Sequence, residues 1–197
     1  MGKIRKLSQK VINKIAAGEV VESPASVVKE LVENAIDAGA KTIVVTIKDG
    51  GLETIVVADD GEGMEQEDAL AALERHSTSK IWQVEELNHL TTMGFRGEAL
   101  ASIAAVSKFS LCSAVAGKDL GIQIVAVGGD IVGSSLVAKN RGTKIVVQNL
   151  FYNVPARKAF QKSTSARKSA VVRLLQAFIL SFPEVDFSLI NEQKVVF

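Results

Sequence analysis

The sequence predicts an α/β chain of the α+β two-layer sandwich kind, with a mixed, mostly antiparallel sheet covered by helices. Two long segments, 24–38 and 166–182, carry apolar residues at helical spacing. The short β-branched runs elsewhere are separated by glycine-bearing turns, as in antiparallel strands. The 197 residues are 47% hydrophobic and 23% charged, which suits a single domain (1–197) with its own core.

The first helix spans 24–38. Ser23 is a natural N-cap, Pro24 fits the first helical position, and Gly39 is a stop. Residues 42–48 and 54–58 form a hairpin around Asp49-Gly50-Gly51. A short helix is expected over 66–75, then a long irregular stretch to Phe95, then a helix over 98–106. Runs at 107–116, 121–127, 131–137 and 143–148 read as successive antiparallel strands. The amphipathic helix 166–182 follows, then a strand at 186–190 and a turn near Asn191-Glu192. Val195, Val196 and Phe197 open a strand that the chain does not finish, so the chain is expected to be a piece of a longer protein.

Composition narrows the setting. One cysteine, Cys112, excludes an internal disulfide framework and suits a reducing compartment. No apolar run approaches the roughly 20 residues that cross a bilayer, because Arg173 and Gln176 interrupt the richest stretch. The opening Met1-Gly2-Lys3-Ile4-Arg5-Lys6 has neither a signal-peptide apolar region nor a myristoylation pattern. A cytoplasmic protein without a membrane partner is expected.

Net charge is +1, but its distribution is uneven. Residues 1–130 carry 13 basic and 19 acidic groups, and residues 131–197 carry 10 and 3. No acid stands between Ile131 and Pro183, where Lys139, Arg141, Lys144, Arg157, Lys158, Lys162, Arg167, Lys168 and Arg173 lie. Such asymmetry fits an acidic partner such as DNA; a solvated surface gives the same pattern. For DNA, Arg157, Lys158, Lys162, Arg167, Lys168 and Arg173 are expected to touch phosphates and not base edges. Neither a recognition-helix motif nor interleaved aromatics for strand stacking is expected there.

Three stretches could carry chemistry. On the first helix Glu30, Asn34 and Asp37 share a stripe, with Glu33 beside them and Lys29 expected to point elsewhere. Carboxylates and an amide suit Mg²⁺ and the activation of water, and an acidic surface looks the same. Asp59-Asp60-Gly61-Glu62-Gly63 follows a strand, where glycine permits close approach of a flat ligand and Asp can accept from an exocyclic amine. A plain turn has that pattern too. In Gly94-Phe95-Arg96-Gly97-Glu98-Ala99-Leu100 two glycines precede a helix, an arrangement suited to phosphate, without a Walker A ending. The stretch before it, from Arg75 to Met93, has the length and the hydroxyl and basic groups of a lid, and a surface loop without a function has them too, though loops this long are uncommon without one. His76, His89 and Cys112 do not make a zinc site.

In this order the motifs resemble the GHKL ATPase superfamily, which includes gyrase B, heat-shock chaperones, histidine kinases and MutL. Four stretches point to the MutL family: Ile15-Ala16-Ala17-Gly18-Glu19-Val20-Val21; Val28-Lys29-Glu30-Leu31-Val32-Glu33-Asn34 with Asp37-Ala38-Gly39-Ala40; Gly94 to Leu100; and Asn149-Leu150-Phe151-Tyr152-Asn153-Val154-Pro155-Ala156-Arg157. The resemblance covers essentially the whole chain.

It implies the GHKL ATPase fold, with ATP and Mg²⁺ as ligands, in a slow Mg-dependent ATPase of DNA mismatch repair in the bacterial cytosol. Glu30 matches the carboxylate that activates the hydrolytic water, and Asn34 the Mg²⁺ ligand. Asp59 matches the adenine reader, with Gly63 beside the base and Thr143 supporting the contact. Thr78, Ser79 and Lys80, with Gly94, Phe95, Arg96, Gly97, Glu98, Ala99 and Leu100, match the lid and phosphate cradle. Asp60 stands where the family often has Asn, with little expected consequence. The resemblance further implies ATP-dependent pairing of N-terminal halves as a homodimer, a MutS-type partner, and DNA bound without sequence preference. It implies a second domain that supplies a lysine to the γ-phosphate and a C-terminal dimerisation domain, neither of which the sequence reaches. Alone, the chain is expected to be a weakly active monomer. The alternative function is a non-catalytic nucleotide-sensing or DNA-binding adaptor.

Overall fold

The computed structural model describes residues 15, 17–18, 20–74, 77, 93–94 and 97–197. Ile15, Ala17, Gly18 and Val20 are helical, and they lead into helix α1 (Pro24–Asp37). Ser23 accepts from the Ser26 N–H, and Ser26 reaches back to the Ser23 N–H at 2.9 Å, so the two serines cap the helix reciprocally. Strands β1 (Thr42–Lys48) and β2 (Thr54–Asp59) form the expected hairpin around a single 3₁₀ turn at Asp49–Gly51.

Helix α2 (Gln66–Ala71) ends earlier than the sequence suggests, and α3 (Ala99–Ala105) lies within its expected span. Strands β3 (Lys108–Ala114), β4 (Leu120–Val127), β5 (Asp130–Ala138) and β6 (Gly142–Gln148) follow. Helix α4 (Pro155–Ala159), with Pro155 at its first turn, was not expected. Helix α5 (Thr164–Ser181) starts at Thr164 because Ser163 caps it, accepting from the Ala166 N–H at 3.4 Å. Strands β7 (Asp186–Asn191) and β8 (Lys194–Val195) close the chain.

The eight strands make one sheet in the order β5-β4-β3-β6-β2-β1-β7-β8. This corrects the expectation of successive neighbours. β6 does not pair with β5; it runs antiparallel to β3 on one side and to β2 on the other. Burial gives the reason. Thr143, Ile145 and Val147 of β6 are buried and belong at the centre, whereas almost all of β5 is exposed and belongs at an edge. β7 pairs parallel to β1, the one departure from antiparallel order among the described strands, and α5 makes the crossover that a parallel return requires.

One face of the sheet carries the core. Val27, Val28, Leu31 and Val32 of α1 meet Ile43, Val45 and Ile47 of β1 and Ile55 and Val57 of β2. α5 adds Val171, Leu175 and Phe178, and the Phe178 ring lies 6.3 Å from that of Phe187 on β7. Burying each such aliphatic or aromatic side chain stabilises the fold by about 1.5–3 kcal/mol. No described helix is long and apolar enough to cross a membrane.

Candidate functional site

The end of β2 and the start of β6 meet at Asp59. Its Oδ1 accepts the backbone N–H of Gly61 at 2.9 Å and of Thr143 at 3.2 Å. Oδ2 accepts nothing from any described residue. Burial pushes the Asp59 carboxyl above its ordinary range, and the two N–H donors and the charge of Lys139 only partly offset it. The carboxylate is therefore held rigidly by one oxygen, with the other available.

The neighbouring groups fix that geometry. The Thr143 hydroxyl, buried, lies 2.8 Å from that of Ser113 on β3, and Ser113 also accepts the Met64 N–H at 2.8 Å. Gly63 has φ +74°, and a Cβ there would strike the Ala114 carbonyl, so only glycine lets the turn lie against the end of β3. Arg141 donates from Nε to the Gly61 carbonyl at 3.0 Å. Ser113 and Arg141 are the residues sequence reasoning missed. Arg141 stands two residues before Thr143, the nearest signal available.

Asp60 turns the other way. Its Oδ1 accepts the N–H groups of Lys41 at 2.7 Å and Thr42 at 2.9 Å, and the Glu62 N–H donates to the Ala38 carbonyl at 2.9 Å. Burial works to raise the Asp60 carboxyl, but the donors from Thr42 and Lys41 outweigh it and hold the carboxyl below the ordinary range. Asp60 thus fastens the turn after β2 to the corner that follows α1. That is a structural task, set beside the expectation that the residue has little consequence.

On α1 the acidic stripe is not free of cations. Lys29 donates to Glu33 at 2.7 Å and lies 3.7 Å from Glu30, which corrects the expectation that it points elsewhere. The spacing of four residues and the burial of Glu33 draw the ammonium across. Glu30 remains partly exposed, with 28% of its side chain accessible. Asn34, one turn on, is half-buried.

Asp37 ends the stripe and accepts the N–H groups of Met93 at 3.0 Å and Gly94 at 3.3 Å. This ties the start of the Gly94–Leu100 stretch to the helix. Gly97 has φ +61°, Glu98 precedes α3, and Ala99 and Leu100 form its first turn. Thr78, Ser79, Lys80, Phe95 and Arg96 lie outside the described residues. No group of three or more His, Cys, Asp or Glu side chains that could hold a metal occurs among the described residues. An amide oxygen such as that of Asn34 is nonetheless a suitable hard donor for Mg²⁺ shared with phosphates and water.

A cavity of about 600 Å³ opens between the β3–β4 and β5–β6 turns, with Lys118, Lys139 and Arg141 on its walls. Glu30, Asn34 and Asp59 are not among its lining residues.

The acid-free segment divides by what its side chains touch. Lys158, Lys162 and Arg173 are exposed and Lys168 is half-buried. The Arg157 guanidinium lies directly on Gly18, where any side chain would collide with it. Arg167 differs from the expectation of phosphate contact. It is buried and donates from Nη2 to Asp49 Oδ1 at 2.8 Å and to the Asp49 carbonyl at 2.9 Å. That pair locks α5 onto the 3₁₀ turn and leaves the guanidinium facing inward.

Known proteins resemble this chain in sequence and fold. Residues 21–127 match the family described as histidine kinase-, DNA gyrase B-, and HSP90-like ATPase. The chain is 49% identical over its 197 residues to the DNA mismatch repair protein MutL of Chlorobium phaeovibrioides, covering 32% of that relative. It is 50% identical over 194 residues to MutL of Lactococcus lactis subsp. lactis, covering 98% of this chain and 30% of that one. It thus spans about a third of the length of these curated relatives. Among solved structures, the Aquifex aeolicus MutL ATPase domain complexed with ADP aligns over 90% of this chain and 63% of its own. Its TM-score is 0.71 at 33% identity. The N-terminal domain of a DNA repair protein aligns over 94% of this chain and 55% of its own, with a TM-score of 0.79 at 28% identity. The chain belongs to the histidine kinase-, DNA gyrase B-, and HSP90-like ATPase family, and its likeness within that family is to MutL proteins along its whole length.

Proposed function

We propose that this chain is the ATP-binding and hydrolysing part of a MutL-type DNA mismatch repair protein. The observation that carries the reading is Asp59, whose Oδ1 is fixed by Gly61 and Thr143 while Oδ2 accepts nothing from the described residues. A buried, oriented acceptor beside a glycine-lined turn suits the exocyclic amine of adenine. Gly63 then lies beside the base, and Thr143 and Ser113 hold the carboxylate in place.

Asn34 would hold Mg²⁺ through its amide oxygen, a hard donor suited to that ion. When bound, the metal neutralises phosphate charge during transfer. Glu30, four residues earlier and partly exposed, orients a water toward the terminal phosphate and accepts its proton. Lys29 keeps its positive charge beside both acids: burial opposes it, but Glu33 and then Glu30 raise its pKa. Asp37 positions Gly94, and the residues assigned to the phosphates are Gly94 to Leu100 with Thr78, Ser79 and Lys80. In the full-length protein nucleotide-dependent closure pairs two such domains and signals to a MutS-type partner and to DNA.

Calorimetric titration with ATP and GTP, each with and without Mg²⁺, tests this. ATP is expected to bind, to bind more tightly with Mg²⁺, and to be preferred over GTP. Equal binding of the two bases removes Asp59 from the role of base reader.

A further inference from the structure

The acid-free segment carries an exposed aromatic side chain between two lysines, which corrects the expectation that it holds no aromatic placed for stacking. Phe160, at the end of α4, is 88% exposed, with the exposed Lys158 and Lys162 two residues to either side. Isolated exposed apolar residues are common and need no explanation. The backbone around Phe160 is what sets it apart. Gln161 donates from Nε2 to the Glu22 carbonyl at 3.0 Å and to the Arg157 carbonyl at 3.3 Å. The inward-facing Arg167 donates to the Lys162 carbonyl. The Phe160 N–H itself donates to the Ala156 carbonyl at 3.2 Å. The ring therefore stands out from a segment pinned on both sides. Leu180, 84% exposed, offers a contrast: its neighbours Phe178, Ile179, Ser181 and Phe182 supply no charge.

We propose that Phe160 is a stacking platform for an unpaired base of single-stranded DNA, with Lys158 and Lys162 on the phosphates of that strand. A rigid aromatic face loses little entropy on stacking, every base offers a matching face, and flanking cations follow the backbone. Duplex DNA hides its base faces, so the ring adds nothing to duplex binding. The proposal rests on the reading that this segment meets DNA and names the form of DNA it prefers. It also gives Arg167 a task there, which is to shape the loop and not to touch the strand.

The test compares binding of a fluorescent oligothymidine of about 20 nucleotides with a duplex of equal length, at several salt concentrations. Phe160→Ala should weaken single-strand binding roughly 5- to 150-fold and leave duplex binding and the salt slope unchanged. Phe160→Trp should retain affinity, with its indole emission quenched when the strand binds. Lys158→Glu with Lys162→Glu should weaken both forms and flatten the salt dependence. Single-strand binding unaltered in Phe160→Ala overturns the proposal while sparing the DNA reading. Equal loss on both forms also overturns it. Absence of binding to either oligonucleotide by the unsubstituted chain overturns both.

Discussion

The carboxylate of Asp37 accepts the backbone N–H of Gly94 at 3.3 Å, joining residues 57 positions apart in the chain. With the Met93 contact at 3.0 Å it makes the last turn of α1 a support for the stretch that leads to α3. Asp37→Ala removes both acceptors. Hydrogen–deuterium exchange should quicken at the Met93 and Gly94 amides, and ATP affinity should fall by about tenfold, the low end of the cost of one hydrogen bond to a charged group. Unchanged exchange at both amides would show that the pairing does not persist in solution.

Glu30→Ala should leave nucleotide binding intact and abolish turnover in the full-length protein, because the carboxylate is proposed to act on water and not on the nucleotide. Calorimetry and a phosphate-release assay on the same preparation decide it. Parallel loss of affinity and rate assigns Glu30 a structural role instead.

Asp59 and Asp60 should respond to pH in opposite senses. Burial raises the Asp59 carboxyl in the folded chain, so the folded state holds that proton more readily than the unfolded state. The cost of its charge is absent in acid and grows as pH rises to neutrality. Asp59→Asn should therefore match or exceed the unsubstituted chain in thermal stability at neutral pH, and lose that advantage in acid. ATP affinity should still fall by about one to two decades, because an amide donor faces the amine. For Asp60, whose carboxyl is held below its ordinary range, Asp60→Ala should lower stability at neutral pH, with the difference shrinking as pH falls through the lowered folded pKa. Asp60→Asn, which keeps an acceptor for Lys41 and Thr42, should recover most of that loss. Thermal melts across the acid-to-neutral range separate these outcomes.

Arg167→Ala should destabilise the chain by about 2–4 kcal/mol, since it strips Asp49 of its partner and removes packing between α5 and the 3₁₀ turn. The partial exposure of Asp49 keeps the figure below that for a fully buried pair. Urea unfolding measures it. A double-mutant cycle with Asp49→Ala should show strong coupling between the two, and near-additive losses would mean that the ion pair matters little.

The two long helices were legible because local signals set them: Ser23 and Pro24 opened α1, and apolar spacing marked both. The place of β6 was not, because strand neighbours are chosen by burial across the whole sheet and not by chain order. Arg167 could have been placed inward from sequence, since it shares the helical face of Val171, Leu175 and Phe178. Its charge drew attention to the surface instead. At the site, Asp59 and Thr143 were joined in advance only by resemblance; nothing in their separation along the chain says that they meet. The reach of Lys29 across Glu30 and Glu33 was open to the spacing rule for helix pairs, whereas the tie from Asp37 to Gly94 has no local signature.

The position of β6 bears on how the chain acquires its shape. Residues 142–148 bridge β2, about 90 residues earlier, to β3, and among the described residues no other strand connects the β5-β4-β3 half of the sheet to the half that holds β2, β1 and β7. A nascent chain emerging from the ribosome can form the β1–β2 hairpin and the β3–β4–β5 meander early, as two separate pieces. They stay unjoined, each with a bare strand edge, until β6 has been synthesised. The Asp59–Thr143 contact forms at that same closure, so the Asp59 carboxylate takes its final setting only when the two halves of the sheet become one.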